Sequence, residues 1–164
     1  MTNPNETPSS TITIYTDGAC KGNPGIGGWG ALISNDKKKL EIAGFSLMTT
    51  NNEMELMAVL RSLKRIKGEG KDIHLYSDSK YVIQGITEWL PNWKTKGWRN
   101  ASKKPIANAE LWREIDQLNQ RHNISWFWVE GHSGVEGNEK ADALANEAIT
   151  FKTSIKRATQ LEAT

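Results

Sequence analysis

The order in which strand and helix patterns follow one another is the strongest constraint on how this chain folds. Residues 11–17 alternate apolar and polar side chains with a period of two, as a half-buried strand does. Strand patterns at 29–33 and 40–47 follow, and the polar residues 35–37 between them predict a hairpin turn. The glycine-rich segment 18–30 predicts turns and close backbone approach.

Helix and strand patterns then alternate. Thr50 followed by Glu53 predicts a capping box at the start of a helix, and Asn108 predicts a cap for a later one. Further strands are predicted at 73–76 and 124–129, and an alanine-rich helix over 138–149. Because hairpins join antiparallel strands and helical crossovers join parallel ones, we predict an α/β fold. It is a five-stranded mixed sheet, three strands antiparallel and two parallel, with helices on both faces.

Length and composition fit one globular domain. The chain has 164 residues, 37% hydrophobic and 24% charged, which excludes disorder of the whole chain. We expect a flexible N-terminal tail over 1–10, the domain over 11–149, and a poorly ordered C-terminal tail over 150–164. A single cysteine excludes an intramolecular disulfide and indicates a reducing compartment. Without a signal-peptide pattern or an apolar run of about 18 residues, we expect a cytoplasmic protein that does not contact membranes.

Four acidic residues stand where a sheet of this type forms a site. Asp17 closes the first strand pattern, and Asp78 follows the strand predicted at 73–76. Ligands of open α/β sheets bind in the crevice beyond the carboxyl ends of the strands. Glu55 lies on the first predicted helix and Asp142 on the last. Taken singly, each acid also fits an ordinary role in a turn, in a helix cap or on a solvated helix face.

If the four carboxylates converge, their repulsion requires a compensating charge. Two like charges 4 Å apart repel by about 4 kcal/mol at an effective dielectric constant near 20. A divalent cation is the natural compensator, and all-oxygen ligands suit Mg²⁺ or Mn²⁺ rather than zinc. Two such ions about 3.5–4 Å apart would hold the attacking and leaving oxygens of an in-line displacement. That chemistry is phosphodiester hydrolysis.

Five motifs, in this order along the chain, resemble those of ribonuclease HI. They are YTDGACKGNPGIGGWG from Tyr15, TTNNEMELMA ending at Ala58, YSDSKYV from Tyr76, VEGH ending at His132, and NEKADALA from Asn138. The match spans roughly residues 11–149. It is closest to the bacterial form of the family, which carries a basic protrusion.

The resemblance implies an endoribonuclease that cleaves the RNA strand of RNA–DNA hybrids and leaves 5′-phosphate and 3′-hydroxyl ends. It implies that Asp17, Glu55, Asp78 and Asp142 are catalytic and bind metal, and that His132 is the family's loop histidine. We expect Mg²⁺ as the cofactor, replaceable by Mn²⁺, and a monomer whose partner is the hybrid duplex. The unperturbed pKa of histidine side chains in general, near 6.5, suits proton transfer near neutral pH. The role of His132 as base, proton relay or aid to product release stays open.

Several polar positions are candidates for recognising the RNA strand. Glycines such as Gly18 let the backbone approach the 2′-hydroxyl that distinguishes RNA from DNA. In the family, the matching positions that contact substrate are those of Cys20, Asn23, Asn51 and Asn52. Helix capping is the alternative for the two adjacent asparagines, and space filling for the cysteine. Lys80 departs from the glutamine of many relatives. Since lysine donates but does not accept hydrogen bonds, we expect it to contact a phosphate rather than a base edge.

The segment 89–104 is basic, with five cations and no acid, whereas the net charge of the whole chain is only +2. It resembles the family's protrusion, which grips the DNA strand. Its candidate substrate-binding residues are Trp93, Lys94, Lys96, Arg99, Lys103 and Lys104. The alternatives are that the tryptophans pack the protrusion's own helices and that the lysines form a solvated face.

Two other functions compete with ribonuclease H activity. One is a strand-transferring or DNA-resolving enzyme with the same acidic core. The glycine–asparagine segment and the basic protrusion speak against it. The other is a hybrid-binding module without catalysis.

Overall fold

Six strands and five α-helices make up residues 11–161, the part of the chain that this computed structural model describes. The strands are β1 (Ile12–Gly22), β2 (Gly25–Ser34), β3 (Lys38–Thr49), β4 (Asp72–Ser77), β5 (Asn123–Trp128) and β6 (Ile155–Gln160). The helices are α1 (Asn51–Lys64), α2 (Lys80–Gln84), α3 (Leu90–Thr95), α4 (Ala109–Arg121) and α5 (Glu136–Phe151). A π-helical turn, Gly85–Trp89, joins α2 to α3.

The strands form one mixed sheet in the order β5-β4-β1-β2-β3-β6. β1, β2 and β3 pair antiparallel, and β4 and β5 run parallel to β1, as the sequence predicts. The side chain of Asn35 accepts hydrogen bonds from the amides of Lys37 and Lys38, at 2.8 Å each, which explains the predicted turn. None of the helices within 11–161 combines the length and apolar character that a bilayer span requires.

A sixth strand, β6, corrects the predicted number of five and lies in the segment 150–164 that was predicted to be a poorly ordered tail, of which residues 162–164 are outside the described part. α5 ends at Phe151, Lys152 takes a left-handed conformation with φ 48°, and β6 then pairs antiparallel with β3. Ile155 is the one buried residue of β6, so its sequence shows no alternation of apolar side chains. Backbone hydrogen bonds to β3 hold it instead. The predicted flexible tail at 1–10 lies outside the described residues.

Helices cover both faces of the sheet. On one face, α1 and α4 bury a large core that includes Ile14, Leu56, Leu75 and the fully buried Trp112. On the other, α5 packs its alanine-rich side on β1, β2 and β3. The two layers follow from the need of a helix to bury its apolar stripe against a sheet.

Glycines let the helices approach the sheet closely. A Cβ atom on Gly30 would lie 2.4 Å from the carbonyl oxygen of Ala141 on α5, and one on Gly18 would lie 2.5 Å from the amide nitrogen of Glu55 on α1. Any side chain at these positions would push a helix away from the sheet. The glycine-rich segment therefore forms strand for most of its length, with its turn confined to residues 22–25.

Candidate active site

The sheet divides at Asp17. The parallel pairing of β1 with β4 ends at Thr16 and Ser77, while β1 continues to pair with β2 as far as Gly22. Asp17 therefore lies within β1, not at its end as the sequence predicts, and Asp78 directly follows β4. The two aspartates stand side by side where the neighbouring strands part, which is the crevice expected of an open α/β sheet.

Glu55 reaches the same point from α1. The side chain of Thr50 caps this helix by accepting a hydrogen bond from the amide of Glu53 at 3.2 Å, as the sequence predicts. This start places Glu55 one turn into the helix and facing the sheet. Each of Asp17, Glu55 and Asp78 offers an oxygen atom, and these atoms lie within 4.8 Å of one another.

Asp142 approaches the group from α5. It is half-buried and lines the same cleft as the other three acids. The close packing of α5 on Gly30 sets this approach. All four acids that the sequence singles out thus line one cleft, from the interior of β1, the end of β4, α1 and α5.

Burial and mutual repulsion change the protonation of this cluster. Asp17 and Glu55 are each only 4% exposed. Burial, and then the charges of Glu55 and Asp78, raise the pKa of Asp17 to about 11. Burial, and then the charge of Asp78, raise the pKa of Glu55 to about 8. Without a cation, the cluster therefore retains protons at neutral pH.

The donor set fits a hard divalent cation. All the candidate ligands are carboxylate oxygens, which Mg²⁺ and Mn²⁺ prefer. The Oε2 atom of Glu55 is buried and has no hydrogen-bond partner within the described residues. A buried carboxylate oxygen without a partner is costly, and a bound cation would satisfy it.

His132 lies on the loop between β5 and α5, at the edge of the cleft. It is exposed and has a positive φ of 55°, and Gly134 in the same loop has a φ of 90°. A Cβ atom on Gly131 would lie 2.8 Å from Oδ2 of Asp78, so the loop backbone touches the acidic cluster at this glycine. Gly131 was not among the predicted site residues, although its place beside His132 was a usable signal.

The predicted RNA-recognition residues border the cleft or the hairpin next to it. Gly18, Asn51 and Asn52 line the cleft. Asn23, in the β1–β2 turn, accepts a hydrogen bond from the backbone amide of Asn51 at 3.1 Å, which ties the turn to the start of α1. The thiol of Cys20 is half-buried in the hairpin, 3.4 Å from the carbonyl oxygen of Thr49.

Lys80 lines the cleft beside Asp78. Its Nζ atom lies 5.4 Å from the ring centroid of Trp128, within the range of a cation–π contact. The indole of Trp128 also donates a hydrogen bond to the carbonyl oxygen of Asp78 at 3.1 Å. Trp128 therefore holds the lysine at the cleft edge, a role that our sequence analysis did not assign to it.

The basic segment divides into packed and exposed side chains. The ring of Trp93 is half-buried, 5.3 Å from that of Trp112 and 5.8 Å from that of Trp89, which supports the packing alternative for the tryptophans. Lys94 pairs with Asp116 at 3.2 Å, and Arg99 donates to the carbonyl oxygen of Lys103 at 2.9 Å. Among the basic side chains of this segment, those that are exposed and make no ion pair within residues 11–161 are Lys96, Arg99, Lys103 and Lys104.

Comparisons with known proteins agree with this geometry. A family model described as RNase H matches residues 9–150. A protein named Ribonuclease H from Francisella philomiragia subsp. philomiragia is 54% identical over 147 residues, which cover 90% of this chain and 96% of that protein. A protein of the same name from Francisella tularensis subsp. novicida is 56% identical over 138 residues, which cover 84% of this chain and 90% of that one.

Solved structures show the same fold. LC9-RNase H1, described as a type 1 RNase H with the type 2 active-site motif, superposes with a TM-score of 0.83 at 29% identity. The superposition covers 96% of this chain and 80% of that one. LC11-RNase H1, solved in complex with RNA/DNA hybrid, has a TM-score of 0.62 at 23% identity and covers 86% of this chain and 98% of its own.

Proposed function

Because this chain belongs to the ribonuclease H family, it is an endoribonuclease of RNA–DNA hybrids, and we propose that Asp17, Glu55, Asp78 and Asp142 bind the divalent cations that it needs. The observation that carries the proposal is the group of three carboxylate oxygens within 4.8 Å, one contributed by a buried glutamate. Such a group is unfavourable in a folded protein unless protons or a cation neutralise it.

Mg²⁺ is the ion that we assign to the site, with Mn²⁺ as a substitute. When bound, the cation supplies Lewis acidity, which activates a water molecule and offsets negative charge at the scissile phosphate. Asp17 lies between the other acids and orients the site from the rigid β1 strand. Glu55 and Asp142 would bind the cation from α1 and α5, which lie on opposite faces of the sheet. The products are a 5′-phosphate and a 3′-hydroxyl.

His132 transfers a proton at the edge of the cleft. Its exposed imidazole lines the same cleft as the acidic group, and an imidazole can both accept and donate a proton. The pH profile of kcat for His132→Ala tests this role. Loss of one limb of the profile is expected for a base or a relay, whereas a lower kcat with an unchanged profile would assign the histidine to product release.

The RNA strand is held on the glycine–asparagine side of the cleft. The backbone at Gly18 and the amides of Asn51 and Asn52 supply donors and acceptors that suit a ribose 2′-hydroxyl. Asn23 and Cys20 support this surface from the adjoining hairpin. Lys80, kept at the edge by Trp128, contacts a phosphate.

The basic segment 89–104 grips the DNA strand through its phosphates. Its exposed lysines attract the backbone directly, whereas Lys94 must exchange its contact with Asp116 for one with phosphate. The residues that we assign to this surface are Trp93, Lys94, Lys96, Arg99, Lys103 and Lys104. We propose that the enzyme acts as a monomer in the cytoplasm.

A labelled RNA–DNA hybrid, compared with duplex DNA and duplex RNA in Mg²⁺, tests the proposed function. We expect cleavage of the RNA strand alone, and its loss in excess chelator and in Asp17→Asn. Cleavage of the DNA strand would instead favour the DNA-resolving alternative. Hybrid binding without hydrolysis by the wild-type protein would favour the binding module. Hydrolysis that survives in the purified variant would refute the site assignment.

A further inference from the structure

A chain of side-chain hydrogen bonds connects β1 to Asp142. Lys21, near the end of β1, places its Nζ atom 3.2 Å from Oδ1 of Asn146 on α5. The Nδ2 atom of Asn146 in turn donates to Oδ1 of Asp142 at 3.3 Å and to the backbone carbonyl of the same residue at 2.9 Å. Neither Lys21 nor Asn146 has a role in the function proposed above.

The donor and acceptor atoms of the three side chains fix the direction of both hydrogen bonds. An asparagine amide has an accepting oxygen and a donating nitrogen, and an ammonium group only donates. Lys21 therefore selects the oxygen of Asn146 and turns the nitrogen of that amide towards Asp142. An ionised carboxylate only accepts, so the arrangement is complementary at both contacts.

Helix geometry places the side chain of Asn146 beside that of Asp142. Asn146 follows Asp142 by four residues on α5, so the two side chains are neighbours on one face of the helix. Asp142 is half-buried and exposes one side to the cleft. A side chain in that position has freedom to rotate unless a partner holds it. Asn146 bonds Oδ1 and leaves Oδ2 for the cleft.

We propose that Asn146 and Lys21 are positioning residues that hold the Asp142 carboxylate in the orientation needed to bind a divalent cation. The inference rests on the proposed function, because it requires Asp142 to be a metal ligand. Groups that hydrogen-bond a metal ligand typically change metal affinity or activity by about 10–100-fold when removed. Lys21 acts through Asn146, so its own effect is smaller.

The test compares Asn146→Leu, Lys21→Met and the double variant, with Lys67→Met as a matched control on an exposed lysine remote from this chain of contacts. Two quantities are measured: the Kd of Mn²⁺ for the protein without substrate, by titration calorimetry, and the split between kcat and KM on a hybrid. Thermal unfolding in chelator reports folding. Asn146→Ala, which removes the amide and is a strong helix former, provides a second variant if the leucine variant is unstable.

For Asn146→Leu we expect the Kd of Mn²⁺ to rise about tenfold and kcat to fall about tenfold, with KM within about twofold of wild type. Lys21→Met should change both quantities about threefold in the same direction. The double variant should match Asn146→Leu, since the lysine acts only through the amide. Raised Mn²⁺ concentration should restore most of kcat, and the control should behave as wild type.

Three outcomes separate the inference from the function on which it rests. A folded Asn146→Leu or Asn146→Ala variant with wild-type Mn²⁺ affinity and kcat overturns the positioning role. A Lys21→Met variant that raises KM, leaves the Kd of Mn²⁺ unchanged and adds to Asn146→Leu overturns the part that concerns Lys21, which then binds substrate directly. An Asp142→Asn variant with unchanged Mn²⁺ affinity refutes the proposed metal ligand itself.

Discussion

Removing one charge from the acidic cluster should make the metal-free protein more stable. Asp17→Asn keeps the shape of the side chain and eliminates its repulsion with Glu55 and Asp78. At 4.8 Å and an effective dielectric constant near 20, each pair of full charges repels by about 3.5 kcal/mol. Because retained protons already relieve part of this repulsion, we expect a gain of about 2–3 kcal/mol at pH 9. For a chain of this size, that gain raises Tm by about 4–12 °C.

The stability that Asp17→Asn gains over the wild type should increase as the pH rises. The pKa values of Asp17 and Glu55 are raised in the folded state, to about 11 and about 8. Such groups contribute stability fully below their unfolded pKa values, near 4, and this contribution is lost as the pH rises through the folded values. The metal-free wild type should therefore lose stability from about pH 4 upwards. The advantage of Asp17→Asn should grow over the same interval.

Thermal and urea unfolding in excess chelator at pH 5, 7 and 9 measure this effect. Asp36→Asn, at an exposed position in the β2–β3 turn, is the matched control and should stay within about 0.5 kcal/mol of wild type. Adding Mg²⁺ should then stabilise the wild type more than the variant, because the cation binds only the intact site. A variant that is less stable than the wild type in chelator, or an advantage that does not change with pH, would refute the electrostatic reasoning.

Three further results are expected. Gly30→Ala should lower the free energy of unfolding in urea by about 3 kcal/mol and also lower activity. The new Cβ atom would lie 2.4 Å from a backbone atom of α5 and would displace that helix together with Asp142. Unchanged stability would show that the helix can shift without loss of free energy. Burial lowers the pKa of His122, so the contribution of this residue to stability should be lost as the pH drops below about 6.5, opposite in sign to the effect of the acidic cluster. The stability of His122→Phe relative to wild type should therefore rise from pH 7 to pH 5, and a difference that does not change with pH would refute this assignment. Alanine at the three lysines of the basic segment that make no ion pair within residues 11–161 should raise KM, reduce the salt slope of hybrid binding by about 2.7 and leave the Kd of Mn²⁺ unchanged. An unaltered slope would exclude phosphate contacts at Lys96, Lys103 and Lys104.

Local patterns predicted most of the fold and the acidic cluster. Alternation along β1 and the cap at Thr50 depend on neighbouring residues, so they are visible in the sequence. The rule for strand ends indicated that Asp17 and Asp78 lie near each other, although Asp17 lies within its strand, and the family resemblance added Glu55 and Asp142. The place of Asp17 within its strand depends on where β4 stops pairing, which no local pattern records.

Features that depend on distant partners were harder to predict. β6 carries almost no apolar pattern, since the edge of β3 holds it through the backbone. Asn108 caps α4 without a side-chain hydrogen bond to the helix, because its amide donates to the hydroxyl of Tyr81 instead. The contact of Lys21 with Asn146 joins residues 125 positions apart. Of these hydrogen bonds, only the one between Asn146 and Asp142 has a signal in the sequence, their four-residue spacing.

β6 also affects how molecules of this protein behave towards each other. An uncovered strand edge presents free amide and carbonyl groups, and these recruit strands from other chains into aggregates. β6 occupies that edge of β3 and carries Lys156 and Arg157, whose charges discourage the addition of another strand. Although β6 has only one buried side chain, it thereby limits the pairing of this sheet with strands of other molecules.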